Sequence, residues 1–339
     1  MKLGGVDIAP GSRQQIWLPL TPLYNNATME MPVEVIRGRR PGPHLFVSAA
    51  VHGDEINGVE IIRRLLKSRL LKGLKGALIA VPVVNVYGFI AKSRYLPDRR
   101  DLNRFFPGSA KGSMAARLAN TFMEEVVANA SHGIDLHTGA LHRTNLPQIR
   151  TNLNDPQALA MARAFRVPVV LNSELRDGSL RAAALDAGLP VLLYEAGEAL
   201  RFDEHAIRAG LRGIINVMRH IGMLPAKAPP KKALTPLLSQ ESRWVRAPVS
   251  GMLTQNAELG QAVKKGQVIA EISSPLDPNP VPVKSPVDGI VIGAVTMPLL
   301  HEGEALFNVA HTERADRLSE QLPHFYDNLE RLSDADFPL

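Results

Sequence analysis

The 339-residue chain has no cysteine, and only 5% of its residues are aromatic. The missing thiols exclude disulfides, thiolate metal ligands and cysteine nucleophiles, so any metal ion must be held by nitrogen and oxygen donors. Hydrophobic residues make up 45% of the chain, which is typical of a globular protein with a real core. The length allows one large domain and a smaller one.

Long apolar runs are also absent, since no stretch approaches the ~20 consecutive apolar residues that a membrane helix needs. The opening residues, MKLGG, lack the apolar core of a secretion signal. We therefore expect a cytoplasmic protein without a membrane partner. The formal net charge is +6, but no aromatic-basic stripe accompanies the basic residues. A carboxylate-bearing substrate explains local arginines at least as well as nucleic acid does, and we expect no nucleic-acid partner.

Apolar segments and amphipathic segments alternate over residues 1–224. This alternation predicts an α/β/α sandwich in which helices cover both faces of a mostly parallel, mixed sheet. Asn57 is the expected N-cap of the first helix, and Pro82 indicates an edge strand or an early strand end. The segments are strands at 45–51, 77–84, 133–137, 167–171 and 190–194, and helices after residue 57 and at 113–130, 156–165 and 206–220.

The composition changes after Leu224. Residues 225–232 (PAKAPPKK) are rich in proline and lysine, and we assign 225–240 as a linker. Short strands and glycine turns follow, and they form an internal repeat that predicts a small β-sandwich module over residues 241–311. A charged helical tail is expected over 312–339. In the repeat, residues 247–253 match 285–291, and 263–269 match 300–306.

The module resembles the biotinyl/lipoyl barrel-sandwich. Carriers of that fold bear a lysine at the tip of the hairpin that joins the two halves, but residues 273–280 contain none. Lys284 lies too close to the second half to be the tip. The sequence therefore predicts a structural or gating β-module and not a swinging arm.

A candidate metal site follows the first predicted strand. His52 ends that strand and Glu55 lies in the turn before a helix, at the sheet edge where open α/β sheets bind ligands. His137 ends another predicted strand and completes a three-residue set for one zinc ion per chain, with a fourth position for water. Asp135 shares the face of His137 and is expected to accept a proton from its ring. The alternatives are ordinary strand-end histidines, a glutamate that favours a helix N-terminus, and an aspartate paired with an arginine.

Two further stretches carry candidate site residues. Asn103 and Arg104, in residues 101–104 (DLNR), offer an amide and a guanidinium suited to a carboxylate, and Arg94 is a second cation upstream. The alternative is a solvated, arginine-rich loop. Glu195 ends a predicted buried strand and could act as a general base, with Glu198 as competitor and a strand-end salt bridge as the alternative.

The segments HGDE, DLNR, DLHTG and YEAGE, in this order, resemble the succinylglutamate desuccinylase/aspartoacylase family, relatives of the zinc carboxypeptidases. The resemblance covers residues 45–220. It implies the zinc ligands named above, Asn103 and Arg104 as the substrate-carboxylate pair, Glu195 as the base, and Arg94 as the group that polarises the scissile carbonyl. The sequence distance from Arg94 to Asn103 is longer than in aspartoacylase. Residues 137–145 also differ from that enzyme, which suggests another acylated substrate.

The predicted function is zinc-dependent hydrolysis of the amide bond of a small N-acylated amino acid. A metallocarboxypeptidase or an esterase would use the same site, and a non-catalytic protein with structural zinc is the alternative from another class. The sequence leaves open which acyl group is cut and whether the chain forms a homo-oligomer.

Overall fold

The computed structural model describes residues 1–173, 176–227 and 234–331. In the first 224 positions its strands are β1 (Lys2–Leu3), β2 (Val6–Asp7), β3 (Arg13–Leu20), β4 (Met29–Arg37), β5 (Arg40–Ala49), β6 (Lys75–Val81), β7 (His132–Gly139), β8 (Arg143–Thr151), β9 (Val169–Asn172) and β10 (Val191–Glu198).

Six helices accompany these strands within the described residues, and a seventh lies near the end of the chain. They are α1 (Asn57–Lys67), α2 (Val86–Ala91), α3 (Met114–Glu125), α4 (Pro156–Phe165), α5 (Leu180–Asp186), α6 (Glu204–His220) and α7 (Ala315–Glu330). In the part of the chain that the structure describes, no helix combines the length and apolar character needed to cross a bilayer.

The centre of the large sheet is parallel. Strands β6, β5, β7 and β10 are neighbours in that order and all run the same way. On one side of them β4 pairs antiparallel with β6, and β3 pairs antiparallel with β4. On the other side β8 pairs antiparallel with β10. The core on one face of the sheet contains residues of α1, α4 and α6, and the core on the other face contains residues of α3 and α5. The predicted α/β/α sandwich with a mixed sheet is confirmed.

One local expectation is wrong, and another is met by one of its two alternatives. Asn57 is not the N-cap of α1 but its first residue; the cap is Ile56, which makes no side-chain capping bond. The buried Asn57 carboxamide instead donates to the carbonyl of Ala196 at 3.4 Å and accepts from the amide of Asp203 at 3.1 Å, which ties α1 to the end of β10. Strand β6 ends at Val81, directly before Pro82, but it lies inside the sheet and not at its edge.

The C-terminal region forms two sheets from β11 (Leu237–Ser239), β12 (Ser242–Arg246), β13 (Gly251–Gln255), β14 (Ala262–Val263), β15 (Val268–Ser274), β16 (Asp277–Lys284), β17 (Gly289–Val295), β18 (Leu299–Leu300) and β19 (Ala305–His311). One sheet is antiparallel in the order β16, β15, β13, β18. The other, β12, β19 and β17, continues the large sheet because β17 pairs with β8. The two sheets share one apolar core, as expected for a sandwich.

The predicted linker is partly a strand. β11 pairs in parallel with β9 and so joins the large sheet, while residues 228–233 of the proline-lysine segment lie outside the described residues. The division of the chain into domains remains a prediction. In the β15–β16 hairpin the turn falls at residues 275–276, and Lys284 pairs with Val268 at the opposite end.

Helix α7 connects the two parts of the molecule. Its Leu318 and Leu322 pack with apolar residues of β17, and its Phe325 and Leu329 pack against Ala209 of α6. The expected helical tail is therefore observed over Ala315–Glu330, and residues 332–339 lie outside the described residues.

Candidate active site

Three predicted metal ligands meet at the carboxyl ends of β5 and β7. These strands pair in parallel, so His52, just after β5, comes next to His137 near the end of β7. Glu55 lies in the turn before α1, and its carboxylate reaches both rings. His52 Nδ1 is 2.7 Å from Glu55 Oε1, His137 Nδ1 is 2.7 Å from Glu55 Oε2, and the two Nδ1 atoms are 3.2 Å apart. All three side chains are buried.

The Nε2 atom of each imidazole ring, on the side away from Glu55, contacts an aspartate. Asp135 Oδ2 lies 2.7 Å from His137 Nε2, and Asp101 Oδ1 lies 3.1 Å from His52 Nε2. The hydroxyl of Ser48 donates to Asp135 at 2.7 Å and orients it. Since an ionised carboxylate only accepts hydrogen bonds, each aspartate fixes the proton on Nε2 and leaves Nδ1 as a lone pair.

This arrangement fits a divalent metal ion. The lone pairs of the two Nδ1 atoms and the two oxygens of Glu55 lie within hydrogen-bond distance of one another. Because all four atoms are acceptors, a cation between them is needed to offset their mutual repulsion. Two imidazoles and one carboxylate, backed by carboxylates, are a donor set that zinc accepts. Within the described residues, His52, Glu55 and His137 form the group whose donor atoms could hold such an ion.

The pKa shifts of His137 and Glu55 also indicate that positive charge is favoured between these side chains. Burial lowers the pKa of His137, but the carboxylates of Asp135 and Glu55 outweigh burial and raise that pKa well above its usual value. Burial raises the pKa of Glu55, but His52 and His137 outweigh it and the net pKa is lowered.

Arg94 is fixed beside this group. Its Nη1 lies 3.1 Å from Glu55 Oε1 and its Nη2 lies 3.2 Å from Asp101 Oδ2. Asp101 was not among the predicted site residues, although it opens the DLNR segment. A carboxylate two residues before the Asn-Arg pair was the signal that could have identified it.

The Asn-Arg pair is anchored to a neighbouring helix. Asn103 Oδ1 accepts from the amide of Leu180, the first residue of α5, at 2.9 Å. That bond uses the oxygen of the carboxamide and leaves its nitrogen to donate to a ligand. Gly178 has a φ of +71°, and a Cβ there would lie 2.3 Å from the carbonyl oxygen of Arg104, so the loop packs tightly against the start of α5. Phe106 is buried beneath it.

Glu195 and Glu198 have different surroundings. Glu195 lies beside His137 in the β10–β7 register, and its Oε2 accepts from Asn145 Nδ2 at 2.7 Å. Glu198 accepts from the amide of His142 and from the hydroxyl of Thr296, both at 3.1 Å. Glu198 therefore joins the β7–β8 hairpin to the β-module, whereas Glu195 lines the cavity described next.

A cavity of about 200 Å³ brings the predicted groups together. Every predicted site residue lines it: His52, Glu55, Arg94, Asn103, Arg104, Asp135, His137 and Glu195. Sequence reasoning did not identify the other arginines of the lining, its second asparagine or its tryptophan, and among these only Arg143 and Asn145 lie in the segment noted as unlike aspartoacylase. These are Arg143, Asn145, Arg150, Arg176, Arg181 and Trp244.

The part of the chain that carries this site matches a known protein family. Residues 41–221 match the model of the succinylglutamate desuccinylase/aspartoacylase catalytic domain. The chain belongs to this family. Over 252 residues, 71% of this chain and 73% of the relative, it is 28% identical to the N-alpha-acetyl-L-2,4-diaminobutyric acid deacetylase of Halomonas elongata. The predicted family is confirmed, and membership supports an amidohydrolase of the deacylase type.

Solved structures extend the similarity beyond the catalytic domain. A succinylglutamate desuccinylase/aspartoacylase from Rhodobacter sphaeroides is 26% identical, with a TM-score of 0.81 over 90% of this chain and 98% of that one. The product-bound ectoine utilization protein EutE (DoeB) from Ruegeria pomeroyi, 23% identical, has a TM-score of 0.82 over 91% of this chain and 98% of that one. The second similarity shows the fold alone, and both include the β-module.

Proposed function

We propose that this family member hydrolyses the amide bond of a small N-acylated amino acid, with a zinc ion held by His52, Glu55 and His137. The observation that carries the proposal is the convergence of these buried acceptor atoms at the wall of a cavity that also holds Glu195 and the Asn103–Arg104 pair. Within the described residues the candidate metal group has three members. A set of three protein ligands favours a catalytic over a structural zinc site, because structural sites use four.

A bound zinc ion would supply Lewis acidity, which polarises a carbonyl group and makes water a stronger acid. Glu195 takes the proton from the attacking water and delivers it to the departing nitrogen. Asn145 holds the carboxylate of Glu195 in place through the 2.7 Å hydrogen bond to Oε2. Arg94, fixed by Glu55 and Asp101, places a cation where negative charge develops on the carbonyl oxygen.

Asn103 and Arg104 bind the carboxylate of the amino-acid part of the substrate. A guanidinium with a neighbouring amide can hold both oxygens of that carboxylate and so orient the scissile bond. Because the loop is anchored on α5 through Leu180, little ordering is needed when the substrate binds.

The size of the cavity, about 200 Å³, favours a small substrate over a peptide. Arg143 and Trp244 line it on the side of the β-module, where a peptide would have to pass to extend beyond the scissile bond. The curated relative is named as a deacetylase of an acetylated amino acid, a substrate of the size that this cavity accommodates.

A hydrolysis screen tests the proposal. Zinc-loaded protein is incubated with N-acetyl and N-succinyl amino acids, one ester analogue and one short peptide, and the released amine is quantified. We expect N-acyl amino acids to be cut fastest, and turnover to disappear after chelation and to return with zinc. The Arg104→Ala variant should raise KM for carboxylate substrates and change little for an uncharged amide analogue. Release of amino acids from the peptide alone would instead indicate a carboxypeptidase.

A further inference from the structure

One residue of the β-module lines the catalytic cavity. Trp244 lies on β12, its side chain is part of the cavity wall, and 41% of it is exposed. The guanidinium carbon of Arg143 sits 5.6 Å from the centre of the indole ring, within the range of a cation–π contact. Part of the indole at the cavity wall is therefore available to a ligand.

A row of paired residues connects Trp244 to the candidate base. Trp244 pairs with Asn308 on β19, Asn308 with Gly293 on β17, and Gly293 with Asn145 on β8. Directly opposed residues of antiparallel strands point to the same face, so the indole and Asn145 share a face. Gly293 allows β17 to lie close to Asn145, since a Cβ at position 293 would be only 2.9 Å from Asn145 Oδ1. Asn145 in turn donates to Glu195.

This wall is fixed relative to the metal-ligand strand. The amide of Thr296, just after β17, donates to the carbonyl of His142 at 2.9 Å, and Glu198 accepts from both residues. The β7–β8 hairpin, which follows His137, is thereby held by the module. Trp244 consequently has a defined position and is not a loosely attached surface residue.

The order of the strands indicates which part of a substrate meets the ring. The carboxylate-binding loop lies on the far side of β8 from the module, since its Asp101 contacts His52 just after β5 and its Asn103 bonds to Leu180 at the start of α5. Moving across the sheet come β7 with His137, β10 with Glu195, β8, and then the module strands. A substrate whose carboxylate lies on Asn103 and Arg104 and whose amide lies near Glu195 directs its acyl group towards Trp244.

We propose that Trp244 is a specificity-determining residue that contacts the acyl group of the substrate and limits its length. The inference rests on the proposed function, because the direction of the substrate follows from it. An indole face packs well against a short acyl chain and leaves no room for a longer one. Against an apolar surface one methylene changes discrimination by about 10- to 200-fold, so loss of this indole has a measurable effect on acyl-length preference.

The kinetic test uses the zinc-loaded full chain with N-acetyl, N-butyryl and N-hexanoyl derivatives of L-aspartate and of L-2,4-diaminobutyrate. We expect Trp244→Ala to raise the hexanoyl-to-acetyl ratio of kcat/KM at least ~10-fold, and Trp244→Phe to raise it less. Trp17→Phe is the matched control, since Trp17 lies on β3, outside the cavity. A ratio unchanged in both Trp244 variants overturns the inference and leaves the proposed function intact.

A binding test separates the two proposals. The chain has two tryptophans, so Trp17→Phe leaves Trp244 as the sole indole fluorophore, and Glu195→Gln is added to prevent turnover. We expect each acetyl and butyryl derivative to change the emission. If the wild type hydrolyses none of the derivatives, the proposed function is overturned. If the derivatives still change the emission in that case, contact with Trp244 is supported. Hydrolysis without any emission change overturns the inference alone, and the absence of both overturns both.

Discussion

At the scale of single residues, the two glutamates at the end of β10 are the clearest case of similar sequence positions with different roles. Glu195→Gln should retain metal and fold, because the change is nearly isosteric and removes no ligand, but kcat should fall at least ~100-fold as proton transfer is lost. Glu198→Gln is the matched control. Its carboxylate accepts hydrogen bonds from His142 and Thr296. Glu198→Gln should therefore lower the free energy of unfolding and affect kcat less than Glu195→Gln does. Steady-state kinetics with metal analysis would check both, and normal turnover in Glu195→Gln would place the base elsewhere.

A second residue-scale prediction concerns Asp101. Its carboxylate fixes the tautomer of His52 and also holds Arg94, although it is not itself a predicted metal ligand. Asp101→Asn should weaken zinc binding by about 10- to 100-fold, the usual loss when a partner behind a ligand histidine is removed. Competition with a chromogenic chelator measures this affinity. Asp98→Asn, in the same loop and bonded to Arg100 through its amide at 3.3 Å and its guanidinium at 3.7 Å, should leave this affinity unchanged. An equal loss in both variants would contradict the role of Asp101.

At the scale of elements, glycine allows α6 to approach its neighbours closely. A Cβ at Gly213 would lie 1.9 Å from the ring of Phe165 on α4, and that ring is fully buried and stacked on Tyr194 at 5.1 Å. Neither ring has space to move without breaking the stack.

Gly213→Ala should therefore lower the free energy of unfolding by about 1–3 kcal/mol, the usual cost of overpacking, despite the better helix propensity of alanine. Denaturant unfolding measures this change. Gly73→Ala is the control, because a Cβ at Gly73 meets nothing within 4 Å. An equally stable Gly213→Ala variant would show that α4 and α6 separate easily.

At the scale of the whole molecule, the β-module and the catalytic sheet are one hydrogen-bonded structure. β17 pairs with β8, and Leu146, Val169 and Leu171 of the catalytic part share a core with Ile290 and Ile292 of the module. A chain ending at residue 224 would leave residues 143–145 of β8 without β17 and strand β9 without β11. It would also expose the apolar side chains of that core, and unpaired edges and exposed apolar patches are known causes of aggregation.

We expect this truncated chain to aggregate and to lose turnover, as measured by size-exclusion chromatography and amine release. The matched control is Leu276→Ser, at the exposed β15–β16 turn where Leu276 is 95% exposed, which should elute and turn over as the wild type does. A monodisperse, active truncated chain would show that the module is dispensable and would also count against the proposed role of Trp244.

The sequence by itself determined the central elements and the polar groups at their ends, but not β3, β4, β8, α2 or α5. Apolar runs that end in a charged or polar residue identified β5, β7 and β10, because strands buried on both faces of a parallel sheet must be continuously apolar. The residues that follow such runs fall at the ligand-binding edge of the sheet. For that reason His52, Glu55, His137 and Glu195 could be placed together from local patterns alone, and the family resemblance added their expected roles.

Only the tertiary structure decided the contacts between segments distant in the chain. Asp101 reaches His52 across 49 positions, Asn57 binds the end of β10 instead of capping α1, and Trp244 enters the cavity because β12, β19 and β17 extend the catalytic sheet. Periodicity reports which face of an element is buried, but not which strand it will pair with or in what register. Those pairings are set by the packing of the whole chain, and they determine which side chains of the β-module form the wall of the site.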